Sequence, residues 1–173
     1  LRRGCTRQTP HPLPATVGHL LSALAQLRAT IRELPDKGKG FLFRGARTLS
    51  SDSLLDELLE RGACERAVVS VTSDRLSAFK DVAKDGKQNT DAVVLLKLRV
   101  DDLHAMAPDL TWCSAFPRQT EMYNNIYEYA LPPFTHLRPV LPPGQRPTEE
   151  KKMGPNGKQI AVTIVECVAS LPY

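Results

Sequence analysis

The chain has 173 residues, 42% of them hydrophobic and 24% charged, with a formal net charge of +4 at neutral pH. That length and balance fit one folded domain with a core large enough to be stable alone, and they exclude a disordered chain or one embedded in a membrane. No apolar run approaches the ~18 residues of a transmembrane helix. The mild positive charge allows an acidic partner or a phosphate-bearing ligand, but the basic residues are scattered and no aromatic-basic motif or zinc-finger spacing accompanies them, which argues against nucleic acid as a partner.

The first thirteen residues are polar, with Pro10 and Pro12 and then Pro14 just beyond, and read as an extended arm over residues 1–14 ahead of a single domain over 15–173. The opening Leu1-Arg2-Arg3 carries neither a methionine nor a signal-peptide pattern and reads as the start of a trimmed or mature chain. From Ala15 to Leu34, Val17, Leu20, Leu21, Leu24, Leu27, Ile31 and Leu34 recur at helical spacing, and Pro35 ends the helix. Phe41-Leu42-Phe43 reads as a short buried strand that delivers Arg44 at its end. A second helix is expected from Ser53 to Arg61, with Leu54, Leu55, Leu58 and Leu59 inward and Gly62 as its stop.

Arg66–Val71 reads as a strand running into Thr72-Ser73-Asp74, where Ser73 or Asp74 caps a helix with Leu76, Phe79, Val82 and Ala83 on one face. Ala92–Val100 is the longest apolar run, and its β-branched content makes it a central strand. Tyr127–Leu131 is a strand stopped by Pro132-Pro133. Leu137–Leu141 resumes as an edge strand because Pro139 excludes it from a sheet interior. Residues 142–158 read as a solvated loop closing in the hairpin-type turn Pro155-Asn156-Gly157, and Ile160–Val168 as the last strand. Helices come first and strands dominate later, which points to an α+β fold.

The cysteines Cys5, Cys64, Cys113 and Cys167 are far apart, with no CxxC pair and no histidine at ligand spacing, so separate thiols are expected in place of disulfides or a metal site. His11, His19, His104 and His136 are equally isolated, and none is assigned a catalytic role.

Three stretches carry chemistry in a recognisable order. Phe43-Arg44-Gly45 closes a strand, Ser70-Val71-Thr72 ends the next and leads into a helix, and Ser114-Ala115-Phe116-Pro117 opens a loop before Glu128-Tyr129-Ala130-Leu131-Pro132-Pro133. In this order the chain resembles the mono-ADP-ribosyltransferase superfamily, in its arginine, serine-motif and glutamate branch, over about residues 16–168. The resemblance implies an ADP-ribosyltransferase-like α+β fold with two packed sheets around an NAD cleft. It also implies NAD as ADP-ribose donor, no metal, a protein as acceptor, and action as a secreted or injected effector or toxin on a host protein, with neither nucleic acid nor membrane as partner.

The site residues follow from the same resemblance. Breaking the bond between nicotinamide and its ribose passes through a cation-like state, as in glycoside chemistry, and a carboxylate bonded to the ribose 2′-hydroxyl stabilises it. Glu128 is that carboxylate, with Ser70 holding it or the nicotinamide ribose and Thr72 supporting from the same turn. Arg44 offers a planar fork to the cofactor phosphates, and Gly45 lets the backbone approach the nicotinamide amide. Phe79 is a further cofactor contact or simply core. Phe116, Gln119 and Tyr127 are candidates for substrate recognition.

The glutamate motif can be laid down twice. Counted forward from Ser114, the loop register gives Gln119-Thr120-Glu121; counted back from Pro132-Pro133, the strand register gives Ile126-Tyr127-Glu128. Glu128 is favoured, because Glu121 would run the strand through Asn124-Asn125, which are poor strand formers. Neither register carries the paired glutamate of arginine-modifying members, so the expected acceptor is a neutral side chain: Asn, Thr, Ser or Cys. An NAD glycohydrolase on the same fold, and a non-catalytic binding module that keeps it, are the competing readings.

Overall fold

The computed structural model describes residues 14–30, 41–46, 52–83, 92–100, 107–110, 127–142, 145–154 and 157–171. Helix α1 (Pro14–Thr30) opens the described chain, with Leu24 buried, Val17, Leu21 and Leu27 half-buried and Leu20 exposed. Ile31, Leu34 and Pro35 of the expected helix lie outside the described residues. Helix α2 (Asp52–Arg61) ends as expected at Gly62, whose φ of +72° suits a glycine and whose N–H donates to Leu58 O at 2.8 Å.

Strands β1 (Phe41–Ala46), β2 (Ala63–Glu65), β3 (Val69–Thr72), β4 (Ala92–Arg99), β5 (Glu128–Leu131), β6 (Thr135–Pro139), β7 (Thr148–Met153) and β8 (Gln159–Ser170) form a single eight-stranded sheet. Its order is β2-β6-β8-β4-β1-β3-β5, with β7 also on β8. All strand pairs are antiparallel except β4 with β8. The fold is thus α+β, and the two packed sheets of the sequence reading take the form of one continuous hydrogen-bonded sheet. β2 and β5 are its two ends, yet each leads in three residues to the strand next to the other end: β2 to β3 through Arg66–Val68, and β5 to β6 through Pro132–Phe134. Links that short keep the two ends of the sheet near each other, and Phe134 N–H donates to Glu65 O beside the last β2–β6 pair, Glu65 opposite Thr135. Phe134 turns this corner with a φ of +66°, strained for a residue with a side chain.

The wrapping divides the sheet into two faces with separate cores. One face is interior: Leu42, Val71, Leu96, Leu98, Tyr129, Leu131, Leu137, Val165 and Cys167 are all buried there, joined by Leu58 of α2. The other face carries helix α3 (Arg75–Ala83), whose Ala78, Phe79 and Val82 pack on Val93, Leu95, Ile160 and Val162. β4 is central as expected, buried on both faces between β1 and β8.

Four expectations change. β1 runs on to Ala46, so Arg44 sits within the strand and not at its end. Leu76 is 44% exposed, and Ala78 takes its place among the buried positions of α3. β6 is internal because β2, a three-residue strand with no legible pattern, pairs with it at Thr135–Leu137. Pro139 is tolerated because it lies beyond the reach of β2, where its missing N–H has no ladder to serve. The stretch expected as open loop contains β7, whose run of two glutamates and two lysines marks a solvent-facing edge strand.

Candidate active site

β3 and β5 lie side by side, with Thr72 opposite Glu128, Val71 opposite Tyr129 and Ser70 opposite Ala130. Directly opposed residues share a face, and successive ones alternate. Val69, Val71, Tyr129 and Leu131 point into the interior core, which turns Ser70, Thr72 and Glu128 together onto the α3 face. There the Ser70 hydroxyl donates to Glu128 Oε1 at 2.6 Å, a short bond of the strength a charged acceptor allows. The two residues are 58 apart in sequence and meet only through this register.

Glu128 stands on a strand paired along both edges. On its outer side Leu110 N–H donates to Glu128 O at 2.7 Å and Ala130 N–H to Pro108 O at 3.1 Å, with Asp109 bridging Tyr129. The backbone under the carboxylate is therefore held from two directions.

The turn after β3 divides its hydroxyls among different tasks. Thr72 Oγ1 accepts from Asp74 N–H at 3.1 Å. Asp74 Oδ2 accepts from Ser77 N–H at 2.7 Å, so Asp74 is the cap of α3. Ser73, the other capping candidate, turns to β5 instead: its Oγ accepts from Tyr127 N–H at 3.0 Å, and its own N–H donates to Tyr127 O at 3.0 Å.

The remaining described candidates have other neighbours. Arg44 lies between Leu42 and Ala46, both in the interior core, so it projects to the opposite face from Ser70 and Glu128. It forms an ion pair with Glu65 of β2, at side-chain exposures of 29% and 24%. Gly45 lies on the α3 face, and an added Cβ there would sit 2.9 Å from the Ala78 carbonyl oxygen and collide with the Val82 side chain. Close helix packing thus accounts for this glycine. Phe79 is 3% exposed within the α3 core, which makes it a packing residue. Tyr127 packs on the interior core, its ring 6.4 Å from that of Tyr129. Burial, then the Asp109 charge and Tyr127, push the Tyr129 phenol above its ordinary range. Phe116, Gln119 and Glu121 lie outside the described residues.

No family model matches the chain, and no curated protein does. Solved structures do. The crystal structure of the ADP-ribosyltransferase HopU1 of Pseudomonas syringae pv. Tomato DC3000 superposes with a TM-score of 0.51 at 19% identity, covering 91% of this chain. The chain has the ADP-ribosyltransferase fold. It spans 56% of the length of HopU1. The ATR domain of Salmonella SpvB matches at a TM-score of 0.48 and 16% identity, over 94% of this chain and 78% of that one. The Vis toxin of Vibrio splendidus, also an ADP-ribosyltransferase, matches at 0.45 and 17%, over 94% and 64%.

Sequence reasoning missed three contacts of these residues: the Ser73 contacts to Tyr127, the Pro108–Leu110 segment along β5, and Glu65 as the partner of Arg44. The Ser73 contacts alone left a trace, as the ambiguity over which residue caps α3.

Proposed function

We propose that the chain transfers ADP-ribose from NAD to a side chain of a target protein, with release of nicotinamide. The observation that carries this reading is the 2.6 Å hydrogen bond between Ser70 and Glu128, at the register position where β3 and β5 meet. Bound NAD supplies the ADP-ribosyl group and a neutral leaving group. The residues present fit that donor at its ribose end: a carboxylate on a rigid strand, held by a neighbouring hydroxyl, can accept from a ribose hydroxyl. It also places negative charge where positive charge grows as nicotinamide departs. Ser70 fixes the carboxylate before the donor arrives, so little reorganisation is left for the reaction itself.

Arg44 does not share this face, and its guanidinium is engaged by Glu65. In this reading Arg44 anchors β1 to β2, and binding of the donor phosphates falls to other groups. The acceptor is a neutral side chain, Asn, Thr, Ser or Cys. The residue two places before Glu128 is Ile126, and the one two places before Glu121 is Gln119, so neither register offers a second carboxylate to take a proton from a guanidinium. A host protein as target and a secreted or injected mode of action complete the proposal.

Labelled NAD incubated with a cell lysate tests it, with the parent chain beside Glu128→Gln and Glu121→Gln. Labelled protein that disappears in Glu128→Gln alone supports the reading. Loss in Glu121→Gln alone moves the catalytic carboxylate into the loop. Free ADP-ribose without labelled protein identifies a glycohydrolase, and an inert parent identifies a binding module. ADP-ribosyl-arginine in the mass spectrum of a modified target would overturn the neutral acceptor.

A further inference from the structure

The two strands that hold Ser70 and Glu128 are joined a second time just outside the site. Ser73 and Tyr127 exchange a reciprocal pair of hydrogen bonds: Ser73 N–H to Tyr127 O, and Tyr127 N–H to Ser73 Oγ, each 3.0 Å. The regular ladder stops one step earlier, at Thr72 opposite Glu128. Ser73 has left the strand conformation to begin the turn into α3, and a serine side chain replaces the backbone acceptor that a continuing strand would have supplied. Tyr127 is the residue immediately before Glu128, at the point where the chain enters β5.

Three observations make this a positioning device. The cap of α3 is Asp74, so the Ser73 hydroxyl is not required to start the helix. The Tyr127 ring packs on the interior core beside Tyr129, so the clamped backbone is also anchored by its side chain on the face opposite Glu128. On the far edge of β5, Leu110 N–H holds the Glu128 carbonyl. With Tyr127 clamped on one side and Leu110 bonded on the other, rotation of the β5 entry about its axis is blocked, and such rotation would swing the carboxylate away from Ser70.

We infer that Ser73 is a positioning residue for Glu128, acting through the Tyr127 backbone. The inference rests on the proposed function, because it presumes that the placement of Glu128 matters to turnover. A displacement of about 1 Å at a reacting group is enough to cost on the order of 100-fold in rate, and loss of one of two clamping bonds leaves a smaller displacement.

The test compares the parent chain with Ser73→Ala, Ser73→Thr and Glu128→Gln in steady-state NAD cleavage, alongside thermal unfolding and amide hydrogen exchange at Tyr127. The expected result is a kcat for Ser73→Ala about 10-fold below the parent, with KM for NAD changed by less than about 2-fold. Ser73→Thr, which keeps the hydroxyl, restores kcat, and exchange at Tyr127 quickens in Ser73→Ala alone. A Ser73→Ala variant that cleaves NAD at the parental rate overturns the inference. So does a kcat that falls only in proportion to the folded fraction, or no recovery in a folded Ser73→Thr. If Ser73→Ala does not fold, Ser73→Thr at parental kcat, with Tyr127 exchange matching the parent, supports the clamp, and slower turnover by the folded threonine variant rejects it. If the parent and Glu128→Gln are equally inert, the proposed function has failed. The exchange at Tyr127 then still reports whether Ser73 clamps the strand.

Discussion

The two faces of the sheet have different occupations, although they are built from alternate residues of the same strands. On the α3 face, Ser70, Thr72 and Glu128 form a polar patch beside a helix that needs Gly45 beneath it. On the interior face, Arg44, Tyr127 and Tyr129 are held by core packing or by an ion pair. Arg44 and Gly45 are neighbours in sequence, yet they serve opposite sides. Residues grouped by a motif are therefore not grouped in space when the motif runs along a strand, because the strand hands every second side chain to the other face.

The comparison can be broken most sharply at Glu128. Glu128→Gln is expected to lower NAD cleavage by about 10²–10³-fold, as removal of one charge-stabilising group does, while its thermal unfolding stays near that of the parent. Loss of fold with loss of activity would make the carboxylate a structural member of the patch. Next in size is Gly45→Val. A side chain there collides with Val82 and Ala78, and the expected loss is about 3 kcal/mol or more of stability, read by denaturant unfolding. Unchanged stability would show that α3 does not press on β1.

Smaller is the Arg44–Glu65 pair. A double-mutant cycle of Arg44→Ala and Glu65→Ala should return a coupling of about 1 kcal/mol for a pair partly shielded from solvent. Independent effects would release Arg44 for another role. The last effect is on pH and builds up gradually. Burial, with a lesser push from Glu166, raises the Cys167 thiol from 9.0 to about 12. The unfolded chain thus loses that proton first, and stability should fall as pH rises between about 9 and 12, by at most about 1.4 kcal/mol per pH unit. Tyr129 acts in the same direction at higher pH. Cys167→Ala should remove the lower part of the slope in unfolding curves taken at pH 8 and 10.5, and an unchanged slope would assign it to other groups.

Much of the local structure was legible because local causes dominate it. Gly62 stops α2 by its positive φ, Asp74 caps α3, and the β-branched run of β4 marks a strand covered on both sides. β2 and β7 were not legible. The first is three residues, too short for a period, and the second is a run of charges whose strand conformation comes only from pairing with β8.

At the site, the sequence by itself determined which residue types stand on these strands, their order, and the choice of Ser70 and Glu128 as candidates. The tertiary structure alone decided who meets whom. Register between β3 and β5 put a serine and a glutamate 58 residues apart within 2.6 Å, and alternation along β1 sent Arg44 away from them. The reason is physical: composition and propensity act within a few residues, whereas pairing register and facing are set by which strands share a core, and that is a property of the folded chain as a whole.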